Sequence, residues 1–156
     1  MRVENYRTLT HLFQVQGRTY SATVKIGTMV DECVSLDDLI DSKAFPKEAA
    51  KLERDLESGR ASAIVVCVDA ECAELPDLKG MDSLGAVIVY KTEDIDNAVC
   101  DHGMIENAIS DLEASYQREL DSARDKVARL EAISPEQAAL SDATAAVLTQ
   151  VFGSLK

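Results

Sequence analysis

The sequence predicts an α+β fold: a four-stranded antiparallel sheet (β-β-α-β-β) packed on helix, followed by a long C-terminal helix and an αα-hairpin. Three observations carry that prediction. Between Thr8 and Ile26 apolar and polar residues alternate with the period of a strand. Two apolar runs, Ala61–Ala70 and Leu84–Tyr90, supply two more strands. From Met104 onward apolar residues fall at Ile105, Ile109, Leu112, Tyr116, Leu120, Ala123, Val127 and Leu130, in steps of 3 and 4 that only an α-helix turns into one stripe.

Thr8–Gln16 and Thr19–Ile26 read as a hairpin turning at Gly17-Arg18. Phe13 and Val15 share one face of its first strand, and Tyr20, Ala22, Val24 and Ile26 share one face of its second. Gly27 is expected to end the hairpin, with a loop over 28–34. Ser35 is placed to cap a short helix whose first turn holds Asp37 and Asp38. Pro46 opens a second helix with a narrow stripe at Ala49, Leu52 and Leu56, and Gly59 stops it. Ala61–Ala70 is apolar on both faces, which predicts a central strand with Cys67 facing the core. Glu71–Ser83, containing Pro76 and Gly80, reads as a polar connection to the strand Leu84–Tyr90.

Ile95, Ala98 and Val99 begin a helical stripe, and Gly103 leaves open whether 94–102 is a separate helix. A helix from Met104 to Ile133 spans about 45 Å at about 1.5 Å per residue. A compact domain of this size is only about 30–35 Å across. The stripe therefore calls for a second helix or a second chain. The double step of 4 through Tyr116 departs from a strict heptad. Ser134-Pro135-Glu136-Gln137 then restarts a final helix, Ala138–Phe152. The chain divides on this reading into an α+β domain, 1–93, and a helical extension, 94–156. Ile109, Leu112, Tyr116, Leu120, Val127 and Leu130 form its expected dimerisation face in a homodimer.

The net charge of −12 is unevenly placed. Residues 1–60 hold ten acids and nine bases, and 118–156 hold six and five. Residues 61–117 hold twelve acids against Lys79 and Lys91, and from Thr92 to Gln117 there is no base. Such a surface repels nucleic acid and attracts basic partners, or else is a solvated face with acids at a helix N-terminus. No apolar run approaches the length of a membrane span and the first residues lack a signal-peptide core, so a soluble cytoplasmic protein is expected. Four scattered cysteines agree with reduced thiols.

Three segments, the hairpin ending in Gly17-Arg18-Thr19-Tyr20-Ser21-Ala22-Thr23-Val24, the helix end Leu56-Glu57-Ser58-Gly59, and Asp82-Ser83-Leu84-Gly85-Ala86, resemble small proteins of phages and mobile elements. Those relatives more often carry a second glycine where this chain has Ala86. None of the three segments carries chemistry. The resemblance implies a setting, accessory phage biology, in which small acidic proteins block host defence nucleases.

No catalytic, metal or cofactor site is expected. Cys67, Cys72, Cys100 and His102 lack the paired spacing of zinc ligands. Cys100 and His102, two apart on a helix, point to different faces, leaving Cys72 with His102 as the only Cys–His pair to consider. His11 reads as a surface residue. Asp37-Asp38, Asp94/Asp96 and Asp69/Glu71 read as caps or solvated acids, with no Gly-rich phosphate loop beside them. Scattered bases exclude direct nucleic-acid binding.

The acidic run remains as the candidate for function. Asp94, Asp96, Asp101, Glu106, Asp111 and Glu113 would present carboxylates to a basic protein surface, such as that of a host defence nuclease complex. The expected function is a non-enzymatic anti-CRISPR or anti-restriction inhibitor. The alternative is a structural module whose C-terminal helices mediate assembly.

Overall fold

The computed structural model describes residues 4–133, together with the isolated positions Asp142 and Ala146. The expected restart at Ser134 and the final helix lie outside the described residues, except that Asp142 and Ala146 are helical. Eight elements follow in order: β1 (Glu4–Val15), β2 (Arg18–Val30), α1 (Leu36–Leu39), α2 (Pro46–Glu57), β3 (Ser62–Cys72), β4 (Leu75–Val89), α3 (Glu93–Asp101) and α4 (Met104–Glu131). The strands form one four-stranded sheet in the order β1-β2-β3-β4, antiparallel at each pairing. The fold is α+β, as the alternation and the helical stripe predict.

One face of the sheet is the core. Phe13 and Val15 of β1, Ala22, Val24 and Ile26 of β2, and Ile64, Val66, Val68, Ala70 and Cys72 of β3 are buried on it. Ile95 and Val99 of α3 and Met104, Ala108, Ile109 and Leu112 of α4 join the same cluster. Each large aliphatic side chain so removed from water contributes about 1.5–3 kcal/mol. Gly80 of β4 lets helix and sheet approach closely. A β-carbon there would collide with the Ala108 carbonyl oxygen and the Leu112 backbone nitrogen, and would lie 2.9 Å from Leu112 Cα.

The chain forms two compact units, Met1–Tyr116 and Gln117–Lys156. The boundary expected at 93/94 falls inside the first of them, because α3 and the first turns of α4 supply part of that unit's core. Gly103, at φ +58, separates α3 from α4 and resolves the break left open above.

Three sequence expectations change. Strand β2 does not stop at Gly27: that glycine pairs with Cys67, and the ladder runs on to Val30 opposite Ile64. The polar connection Glu71–Ser83 is mostly strand, since Ala73 and Glu74 make a two-residue turn and Cys72 pairs with Leu75. Its two breakers have other roles. Pro76 stands near the start of an edge strand, where a missing N–H is tolerated, and Gly80 admits the helix backbone. Cys67 lies half-buried on the face away from Val66 and Val68, and Cys72 is the core thiol.

A bulge interrupts β3–β4 pairing between Ile64/Val87 and Val66/Leu84. Ala86 sits there at φ +57, a conformation that glycine adopts at less cost. Its N–H donates to Asp31 Oδ2 at 3.1 Å, and the second oxygen of that carboxylate accepts the Cys33 N–H. Asp31 thus holds the bulge to the loop after β2.

Candidate interaction surface

The six carboxylates singled out above all lie in α3 or the first half of α4, on helices whose opposite sides carry Ile95, Val99, Met104, Ala108, Ile109 and Leu112 into the core. Their surroundings divide them. Asp94 Oδ2 accepts the N–H groups of Tyr90 (2.8 Å) and Lys91 (3.1 Å), closing the turn into α3. Those two backbone bonds hold its pKa below the ordinary aspartate value. Asp96 receives Arg7 of β1 at 3.0 Å and the Tyr6 hydroxyl at 3.1 Å, tying α3 to the opposite edge strand. Asp111 accepts the N–H of Met81 at 3.2 Å. These three have structural work.

Asp101, Glu106 and Glu113 differ. Among the described residues they enter no hydrogen bond or ion pair, and the run Thr92–Gln117 around them has no base. Asp101 and Glu106 are exposed and flank Gly103, and Glu113 is half-exposed two turns further along α4. Carboxylates on one helical layer without a cation beside them among the described residues make a negative surface.

The dimerisation stripe also divides. Ile109 and Leu112 are buried in the first unit's core, and Tyr116 packs its ring 6.2 Å from Tyr20, which in turn stacks on Phe13. These three side chains are engaged within the chain. Leu120 is half-buried, and Ala123, Val127 (53% exposed) and Leu130 (67%) stand open. The part of the stripe that lies in the first unit serves that unit's own core.

Cys67 and Cys72 are not activated as nucleophiles. Cys72 Sγ donates to Glu74 Oε2 at 3.0 Å, and no hydrogen bond joins it to His102 among the described residues. Burial pushes both the Cys72 and the Cys67 thiol up, against thiolate formation. Cys100 and His102 are both exposed. His11 is a correction: it pairs with Ala22 and so shares the core-side face with Leu9 and Phe13, half-buried rather than on the polar face. Ser35 is the N-cap residue of α1, as the sequence predicts, and Asp38 in the first turn accepts its N–H and hydroxyl, bonds that lower the Asp38 pKa.

Two structural acids escape sequence reading. Asp55 is 5% exposed and gathers Arg60 (2.8 Å), Lys51 (3.9 Å) and the Tyr90 hydroxyl (3.3 Å), joining α2 to the end of β4. The available signal was position, since Asp55 follows Ala49 and Leu52 at helical spacing. Glu71, on the solvent face of the sheet, is held between Lys25 (2.7 Å) and Lys79 (2.9 Å), which pull its pKa down to about 2.

Among the described residues no three His, Cys, Asp or Glu side chains converge as a metal site would require, and no helix is long and apolar enough to cross a membrane. Comparison with protein-family models, with curated proteins and with solved structures finds no match.

Proposed function

We propose that this chain is a non-enzymatic, cytoplasmic binding protein that docks its acidic α3–α4 layer onto a basic, nucleic-acid-handling protein surface. The observation that carries this reading is the set Asp101, Glu106 and Glu113, carboxylates without partners among the described residues, on a stretch without Lys or Arg. A partner whose Arg and Lys side chains normally hold DNA or RNA phosphates meets charges of the same sign there, and its own ligand is displaced. The resemblance to phage and mobile-element proteins supplies the setting: inhibition of a host defence nuclease, an anti-CRISPR or anti-restriction role.

The test is affinity capture from a bacterial lysate with wild type and with D101N/E106Q/E113Q. This variant spares Asp94, Asp96 and Asp111, whose bonds hold the fold. The expected outcome is a nuclease or guide-RNA complex retained by wild type, released as salt rises, and bound about tenfold or more weakly by the variant. Equal capture by both proteins would reduce the acidity to solvation. The second reading, an assembly module, is favoured by exposed Val127 and Leu130, and it predicts that V127E/L130E dissociates an oligomer through α4.

A further inference from the structure

We infer that strand β1 is a self-pairing edge, along which a second copy of this chain continues the sheet. The inference rests on how differently the two edges of the sheet are finished. On β4 three backbone groups along the middle of the strand are occupied. Met81 N–H donates to Asp111, Lys79 C=O accepts the Ser115 hydroxyl at 3.4 Å, and Ser83 N–H donates to Asp82 Oδ1 at 2.8 Å. Pro76, Asp77, Lys79, Asp82 and the bulge at Ala86 add the features that keep an edge from pairing with another chain. On β1, by contrast, no hydrogen bond beyond the ladder to β2 reaches the backbone of Thr8–Val15 among the described residues. That stretch contains no acid, Lys, Arg, Pro or Gly, and its register with β2 is unbroken.

The occupant follows from charge and parity. A chain of net charge −12 repels its own copy at most of its surface, and Thr8–Val15 is a stretch without acid, Lys or Arg whose outward backbone groups have no partner among the described residues. Antiparallel pairing about a two-fold axis requires residues of the same face to oppose one another. Centring the axis on Leu12 satisfies this: Leu12 meets its own copy, Thr10 faces Gln14, His11 faces Phe13, and Leu9 faces Val15. Leu12 is 67% exposed on the solvent face, so the pairing covers the largest apolar side chain there on β1. Arg7, engaged with Asp96, stays outside the ladder. The result is an eight-stranded antiparallel sheet with both helical layers on one side.

Sedimentation and amide hydrogen exchange of the full chain, as wild type, L12K and V127E/L130E, test this. Wild type is expected to self-associate reversibly, with the amides of Leu9–Val15 gaining protection as concentration rises. L12K, which opposes two ammonium groups across the axis, is expected to weaken association about tenfold or more without touching the core. V127E/L130E is expected to retain it. A monomeric wild type, an L12K protein that associates as tightly as wild type, or association lost only in V127E/L130E would each overturn the inference. If both variants dissociate, concentration-dependent protection of Leu9–Val15 in wild type upholds it and its absence overturns it.

Discussion

Strands β1 and β4 border the same sheet, yet among the described residues one edge is sealed along its middle and the other is bare from Thr8 to Val15. The sealing of β4 comes from residues far along the chain, Asp111 and Ser115, which α4 carries to the strand. The close helix–strand contact at Gly80 makes that reach short enough for side-chain hydrogen bonds. At β1 the nearest helix, α3, engages only the start of the strand, through Tyr6 and Arg7 with Asp96. An edge is therefore protected only over the length that a neighbouring element touches it.

The contrast can be broken most severely at Gly80. Gly80→Ala sets a methyl group against helix backbone, which cannot swing aside as a side chain can. The expected loss is about 3 kcal/mol or more in urea unfolding. It should come with faster hydrogen exchange at the Met81 amide, the sign that α4 has lifted from the edge. Asp111→Ala keeps the packing and removes one seal. It should cost about 1 kcal/mol and accelerate Met81 exchange, with the amides of Leu9–Val15 unchanged in a dilute sample.

The smallest effect belongs to Glu71, which links Lys25 of β2 to Lys79 at the β4 edge. Its folded pKa is depressed from 4.5 to about 2, so its stabilisation is intact above 4.5 and is lost as pH falls toward 2. Both lysines are well exposed and solvent screens the pair, so the contribution is about 1 kcal/mol at most. Glu71→Gln should flatten the acid limb of the stability profile by that amount. An unchanged profile would assign the triad no role in holding the sheet.

Local rules were legible in the sequence where one residue decides one feature. Ser35 with Asp38, Pro46, Gly59 and the alternation through β2 all act within a few positions, and each appears in the structure as read. What the sequence hid depends on distant partners. Gly80 looks like a loop residue until the backbone of α4 is placed beside it, and the true extent of β4 follows from that contact. The run through β3 has no alternation to tell its faces apart, so the sequence turns Cys67 inward and places Cys72 in the connection that follows. The acidic surface was legible as composition. Which carboxylates were already engaged was not, because Asp94, Asp96 and Asp111 bond to groups on other elements.

The order of synthesis gives the sealed edge a history. All four strands leave the ribosome before α4, and Asp111 and Ser115 follow Lys79 by more than thirty positions. A nascent chain with its sheet assembled and α4 still in the exit tunnel has two bare edges rather than one. Arrival of the helix therefore acts as a late lock, ending the interval in which neighbouring nascent chains on one message can cross-pair through β4.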